Sequence, residues 1–131
     1  MKLNAIIEKG QDGGFAICVR NMPWLIGYGE TEEEAKADFY EVFKEQVEYY
    51  NKKHGEMPQW ENAEISFPYD IAAFFTAFPF INVSQFAQFV GINPSLMRKY
   101  KQGFATASQK QLSIIQNGLN QMISHLQSVQ F

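Results

Sequence analysis

One long helix, marked at both ends, constrains the fold of this chain more than any other sequence feature. Thr31 and Glu34 have the spacing of a capping box, in which a hydroxyl and a carboxylate satisfy free amide groups of the first turn. Gly55 follows a run of basic residues, and glycine is the usual residue just past a helix end. Between these ends, apolar residues recur at steps of three and four: Ala35, Phe39, Val42, Phe43, Val47 and Tyr50. The pattern predicts one amphipathic helix over residues 31–55.

Alternating segments flank this helix. Apolar and polar residues alternate over 3–7, 15–19 and 24–28 before the helix and over 63–67 after it, as in half-buried strands. Gly13 and Gly14 permit the positive φ angles of a tight hairpin turn between the first two segments. The order strand-strand-strand-helix-strand predicts a small α+β layer with one helix on one sheet face.

Beyond Asp70, a predicted N-cap, the apolar spacing becomes helical. Helices are expected from 71 to Pro79, over 83–90, from Asn93-Pro94 to Gly103, and from Ser108, with Gln111 as its capping-box partner, nearly to the end. We therefore expect two domains, 1–69 and 70–131, the second all-α with a long C-terminal helix. A single cysteine and the lack of a long apolar run favour a cytoplasmic protein without membrane contact.

Charge is distributed very unevenly along the chain. Residues 1–70 hold all 14 acidic side chains, whereas residues 71–131 hold four basic side chains and no Asp or Glu. Such asymmetry favours an anionic partner for the second part, with nucleic acid the commonest. The alternative is a surface that is simply rich in Gln, Asn and Ser.

Residues 84–103 have the spacing of two short helices joined by a tight turn. Ala87 is small enough for a close crossing, and Gly91, four positions later, accepts a left-handed conformation. The spacing places Ile92, Met97 and Tyr100 on the buried side of the second helix. Its other face is then turned outward, and a helical hairpin that only packs remains the alternative to a binding site.

This segment resembles the helix-turn-helix of the phage-repressor (XRE/Cro-like) family. Six residues stand at the family's expected positions: Ala87, Gly91, Ile92, Met97, Tyr100 and Gly103. The resemblance implies binding to a double-stranded DNA operator, with some side chains at base edges and others at phosphates. The residues implied for base edges are Asn93, Ser95, Leu96 and Lys99, with Leu96 against a thymine methyl group. The residues implied for phosphates are Asn82, Ser84, Arg98 and Lys101.

The last predicted helix has an apolar seam suited to pairing two copies. The four cations of the second part neutralise only about four phosphates, so a monomer would bind weakly. Two copies, with recognition helices about 34 Å apart, are therefore expected. The seam has coiled-coil spacing: Leu112, Ile115, Leu119, Met122, Leu126 and Val129. We expect a homodimer or a higher homo-oligomer, with packing of the seam on its own helix-turn-helix as the alternative.

The N-terminal part is similar to the HicB antitoxin family. The similarity consists of the Gly-rich hairpin at 12–17, a turn at Pro23, and the helix start Gly29-Glu30-Thr31 with Glu34-Ala35, where Glu30 replaces the family's Asp. Trp24-Leu25 stands where a Gly-Cys pair is common. The resemblance implies a partial RNase H-like β-β-β-α-β layer that blocks a small basic RNase toxin, HicA, while the helix-turn-helix represses the operon.

An acidic stripe on the first helix is the expected surface for such a toxin: Glu34, Asp38, Glu41, Glu45 and Glu48. A merely solvated helix face is the alternative for these residues. The alternative for the whole chain is an orphan helix-turn-helix regulator without a toxin partner.

Catalysis is not expected. Metal-dependent nuclease chemistry requires carboxylates converging from strands, and the predicted strands offer only Glu8, at the end of the first, and Glu64. His54 and His125 are isolated, and Cys18 has no nearby His, so neither a zinc site nor an activated thiol is predicted. We therefore expect no catalytic residue, no metal and no cofactor.

Overall fold

The computed structural model describes residues 1–131 and divides them into two compact units, Met1–Ala77 and Phe78–Phe131. It is mixed α/β with five helices and a small sheet, which confirms the α+β class. The short helix α2 (Ile71–Ala77), capped by Asp70 Oδ1, belongs to the first unit and contacts β2 (Ile6–Lys9). The first compact unit therefore ends at Ala77, eight residues beyond the expected boundary at 69, where the apolar spacing changes from alternating to helical. No helix is both long enough and apolar enough to cross a bilayer.

The sheet of the first unit is built from two hydrogen-bonded ladders. Its other strands are β1 (Lys2–Asn4), β3 (Phe15–Val19), β4 (Met22–Gly29) and β5 (Glu64–Ser66). Strands β2, β3 and β4 are antiparallel neighbours, and β1 pairs with β5 in parallel. Bonds from Ala5 N to Ser66 O and from Ile7 N to Pro68 O, both 2.8 Å, continue the parallel pairing along β2. The two ladders thus form one layer in the order β5, β1/β2, β3, β4.

Two details of the strands differ from the sequence expectation. The strand expected over 3–7 is interrupted at Ala5, because β1 and β2 form ladders with different partners. The register of β4 also shifts: Val19 pairs with Met22, whereas the adjacent Cys18 pairs with Ile26, so the intervening residues bulge. Leu25 and Gly27 point inward from β4, and the alternating aromatic residues Trp24 and Tyr28 are exposed.

Helix α1 (Glu32–His54) confirms the predicted boundaries. Thr31 Oγ1 accepts the amide of Glu34, and Gly55 ends the helix with a φ of 71°. The capping box differs in one bond, because Glu34 Oε2 accepts the amide of Glu30 instead of that of Thr31. The expected reciprocal pair is therefore displaced by one residue toward β4.

Two glycines of β4 let α1 approach the strand backbone to backbone. A Cβ on Gly27 would lie 2.7 Å from Phe39 Cα, and one on Gly29 would lie 2.6 Å from Glu34 Cβ. Beneath this contact lies a core of fully buried side chains that includes Ile7, Ile17, Leu25 and Phe39. Burying each such side chain contributes roughly 1.5–3 kcal/mol, so the close contact between helix and strand anchors the unit.

The second unit consists of α3 (Val83–Val90), α4 (Pro94–Gln102) and α5 (Gln109–Gln127). Asn93 and Ser108 cap the starts of α4 and α5, and Gly91 and Gly103 end α3 and α4 with positive φ, as their sequence signals predict. Asn82, expected only as a phosphate contact, caps the start of α3. The capping box of α5 is only half formed: Ser108 accepts the amide of Gln111, but the buried Gln111 Oε1 has no partner. Val129, expected in the last helix, lies past its end.

Candidate nucleic-acid interface

Helices α3 and α4 are joined by a three-residue turn, Gly91-Ile92-Asn93. The amides of Gly91 and Ile92 both donate to Ala87 O, at 3.0 and 2.9 Å, which closes α3 and redirects the chain. Ala87 and Met97 are fully buried, and Ile92 and Tyr100 nearly so. The residues predicted to face inward at this crossing are thus confirmed as buried.

The opposite face of α4 is open and basic. Arg98, Lys99 and Lys101 are exposed, together with Ser95, and Leu96 is half-buried. None of these cations forms a salt bridge, because the second unit has no carboxylate side chain. Unpaired cations on one exposed helix face create a positive potential that attracts an anionic partner.

Arg98 is held by the first turns of both helices. Its Nη1 donates to Ser84 Oγ of α3 at 2.9 Å, and its Nη2 donates to Ser95 Oγ of α4 at 3.3 Å. Three of the residues expected at DNA are therefore brought together in one cluster. Sequence spacing could not reveal this cluster, because the bond between Arg98 and Ser84 depends on how α3 and α4 cross.

Asn82 and Asn93 have structural roles that limit what they can offer a ligand. Asn82 Oδ1 accepts the amide of Gln85 at 2.9 Å. Asn93 Oδ1 accepts the amides of Ser95 and Leu96, at 2.9 and 3.3 Å. In both residues the capping bonds use Oδ1, so the Nδ2 group is the part of the side chain that remains available to a ligand.

The predicted seam of α5 is divided between packing and exposure. Its first four residues are half-buried, whereas Leu126 and Val129 are 61% and 53% exposed. Helix α5 crosses α3 at Gly118, which is buried and would place a Cβ only 2.8 Å from Val90 Cα. Part of the seam thus packs within the unit, and its C-terminal end remains open.

An open groove continues this apolar surface. It encloses about 610 Å³ and is lined by Ile81, Asn82, Gln85, Phe86, Gln88, Phe89 and Met122. Phe89 is 46% exposed and meets His125 edge to face at 6.0 Å, and Ile123 is 44% exposed. Sequence reasoning missed Phe89 and Ile123, because both lie outside the coiled-coil spacing that defined the seam.

The expected acidic stripe of α1 is only partly free. Asp38 Oδ2 accepts the amide of Tyr28 at 2.8 Å, and Glu34 accepts that of Glu30, so both carboxylates tie α1 to β4 and its end. The next acids along the helix, Glu41, Glu45 and Glu48, are exposed. The carboxylates of the stripe that are free of such bonds therefore begin at Glu41, about two turns beyond Glu34.

The ionisable groups with shifted pKa values, Cys18, Glu32 and Tyr69, all belong to the first unit. Burial and the neighbouring Glu8 raise the pKa of the half-buried Cys18 thiol to about 11. Hydrogen bonds from Lys36 and Tyr69 hold the pKa of Glu32 below its usual value, while burial and Glu32 raise the pKa of Tyr69. No group of three or more His, Cys, Asp or Glu residues is arranged to hold a metal ion.

The chain matches no protein-family model, no curated protein and no solved structure. The similarities to the XRE/Cro-like and HicB families therefore depend on the residues and spacings of this chain alone.

Proposed function

We propose that the protein is a HicB-like antitoxin that neutralises a small basic RNase toxin and represses its own operon through a helix-turn-helix. The observation that supports this proposal most is the open face of α4, where Arg98, Lys99 and Lys101 have no ionic partner in a unit without carboxylates. The second of two crossing helices is the element that enters the major groove in helix-turn-helix proteins.

Within this proposal, the side chains divide by reach and chemistry. Lys99 and Asn93 lie toward base edges, and the half-exposed Leu96 can meet a thymine methyl group. Arg98 and Ser84, already joined by a hydrogen bond, lie toward one phosphate, with Lys101 at another. Asn82, at the start of α3, can reach a phosphate through its Nδ2 group, because its Oδ1 is used by the cap.

Affinity requires two copies. The four cations of residues 71–131 give a monomer a salt slope of about −3.6 on a logarithmic scale, and a dimer about twice that. The exposed ends of α3 and α5, with Phe89, Ile123, Leu126 and Val129, form an apolar surface on which a second copy can pack. Leu126→Glu should then give a monomer by light scattering and lose most operator binding. The exposed Gln121→Glu adds the same charge, and it should keep the dimer and weaken binding only slightly.

The first unit suits a basic toxin partner. If the interrupted β1 and β2 are counted as one strand, the elements follow the order β-β-β-α-β with β5 parallel to β1, and this order supports the proposal. The exposed Glu41, Glu45 and Glu48 favour a cationic protein. Co-expression with a neighbouring basic reading frame should yield a complex that Glu41→Lys with Glu45→Lys weakens. Operator binding without any such complex would instead favour the orphan regulator.

The decisive experiment is a salt titration of binding to the protein's own promoter fragment. Arg98→Gln removes one phosphate contact from each protomer, so it should weaken binding to all sequences alike and reduce the salt slope of the dimer by about 2. Lys99→Ala should instead relax sequence preference. Lys44→Gln, an exposed change on α1, serves as the matched control and should leave binding unchanged. Absence of binding even at low salt would refute the DNA-binding function.

A further inference from the structure

The side chains at the start of α4 differ in what they still offer a ligand. The backbone amides of Ser95 and Leu96 both donate to Asn93 Oδ1, and these two bonds occupy both lone pairs of that oxygen. The Nδ2 group of Asn93 keeps two N–H donors. Bidentate pairing of an asparagine with adenine requires both its amide oxygen and its amide nitrogen, so Asn93 is unsuited to that contact.

The remaining polar groups are also rich in donors. Ser95 Oγ already accepts a hydrogen bond from Arg98, and the same guanidinium donates a second bond to Ser84 Oγ. Lys99, the exposed cation one turn after Ser95, has three donors and no acceptor. The base-facing part of α4 therefore offers several donors and hardly any free acceptor.

The edges of base pairs in the major groove differ in whether they present hydrogen-bond acceptors or donors. Guanine presents two acceptors, N7 and O6, and thymine presents the O4 acceptor beside a methyl group. Adenine and cytosine present amino groups, which need an acceptor on the protein to be recognised. A donor-rich surface next to an apolar Leu96 matches the first pair of bases and not the second.

Building on the DNA-binding function proposed above, we infer that α4 reads the acceptor edges of guanine, with thymine adjacent. Lys99 donates to guanine O6 and N7, Asn93 Nδ2 donates to a neighbouring acceptor, and Leu96 contacts the thymine methyl group. Ser84 and Ser95 act as positioning residues that keep Arg98 on the phosphate side, so that it does not compete for the bases.

Selection from a randomised duplex library with the full chain tests this inference. Guanine should be enriched at one or more positions of each half-site, with thymine next to it. Replacing an enriched guanine by 7-deazaguanine removes the N7 acceptor without changing base pairing, and it should weaken binding about tenfold, within the range expected for a base contact. Enrichment of adenine or cytosine in place of guanine would overturn the inference.

A paired substitution gives a second, independent readout. Lys99→Gln supplies an acceptor beside a donor, so the preferred base at the contacted position should change from guanine to adenine. Lys110→Gln, an exposed change on α5, should lower affinity for all sequences without changing the preference. An unchanged guanine preference in Lys99→Gln would refute the assignment. Operator binding with a sequence preference that lacks guanine would refute the inference but not the proposed function, and absence of DNA binding would refute both.

Discussion

Replacing Gly118 with alanine tests how closely α5 lies on α3. A Cβ at this position would lie under 3.0 Å from three atoms of Val90, one of them the Cα at 2.8 Å. Because a backbone atom cannot rotate away, α5 would have to move by about 1 Å to restore ordinary carbon contacts. Overpacking of this kind costs about 1–3 kcal/mol.

Helix propensity acts in the opposite direction and sets the net effect. Alanine is about 1 kcal/mol better than glycine inside a helix. We expect the upper part of the overpacking range, because the contact includes backbone, so the net loss should be about 1–2 kcal/mol. Each kcal/mol lowers the Tm of a small domain by about 4–8 °C.

Thermal and urea unfolding of the full chain, followed by circular dichroism, measure this loss. The exposed neighbour Asn117→Ala is the control and should be neutral or slightly stabilising, because it gains propensity without a clash. Val90→Ala removes the nearest methyl group, so the double variant should lose less than the sum of the two single variants, by about 0.5–3 kcal/mol. A Gly118→Ala protein as stable as the wild type would refute the close crossing.

Three further outcomes are expected. Asn93→Ala removes the cap of α4 and should cost about 0.5–2 kcal/mol in chemical unfolding. Hydrogen bonds lower the pKa of Glu32 in the folded protein, so the ionised carboxylate stabilises the fold above its unfolded pKa of about 4.3. This stabilisation is lost as the pH falls. Glu32→Gln should therefore be less stable than the wild type at neutral pH and should lose less stability in acid. With a pKa of about 11, Cys18 holds roughly a hundredfold less thiolate at pH 8 than a free thiol, so alkylation should be slow and Glu8→Gln should accelerate it.

Each of these has a clear contrary result. An Asn93→Asp protein should retain the cap, so an equal loss in that variant would show that capping is not the cause. Parallel stability–pH curves for wild type and Glu32→Gln would contradict the favourable hydrogen bonds to its carboxylate. Alkylation of Cys18 in the native protein at the rate found in urea would contradict its burial.

Helix boundaries were predictable because their signals are local. A cap such as Thr31 or Asn93 contacts amides two or three residues away, so the sequence alone contains both partners of the bond. The buried side of the α3–α4 crossing was predictable for a similar reason, since helical spacing fixes which of Ile92, Met97 and Tyr100 share a face.

Features that depend on distant residues were not predictable in this way. The interruption at Ala5 follows from two partners on opposite edges, one of them about sixty residues later. The amphipathic spacing of α2 shows that one face is buried but not against which unit. The bond of Arg98 to Ser84 likewise depends on how α3 and α4 cross, and it places the guanidinium between the two helix starts.

The bond from Tyr28 N to Asp38 has a consequence for how other chains can meet the first unit. Strand β4 is the last strand of its ladder, and an uncovered terminal strand is a template on which foreign strands add and proteins aggregate. The carboxylate from α1 occupies the amide of Tyr28 in the second half of that strand. Asp38→Ala leaves this edge amide without its carboxylate and should therefore favour self-association through the margin of the sheet.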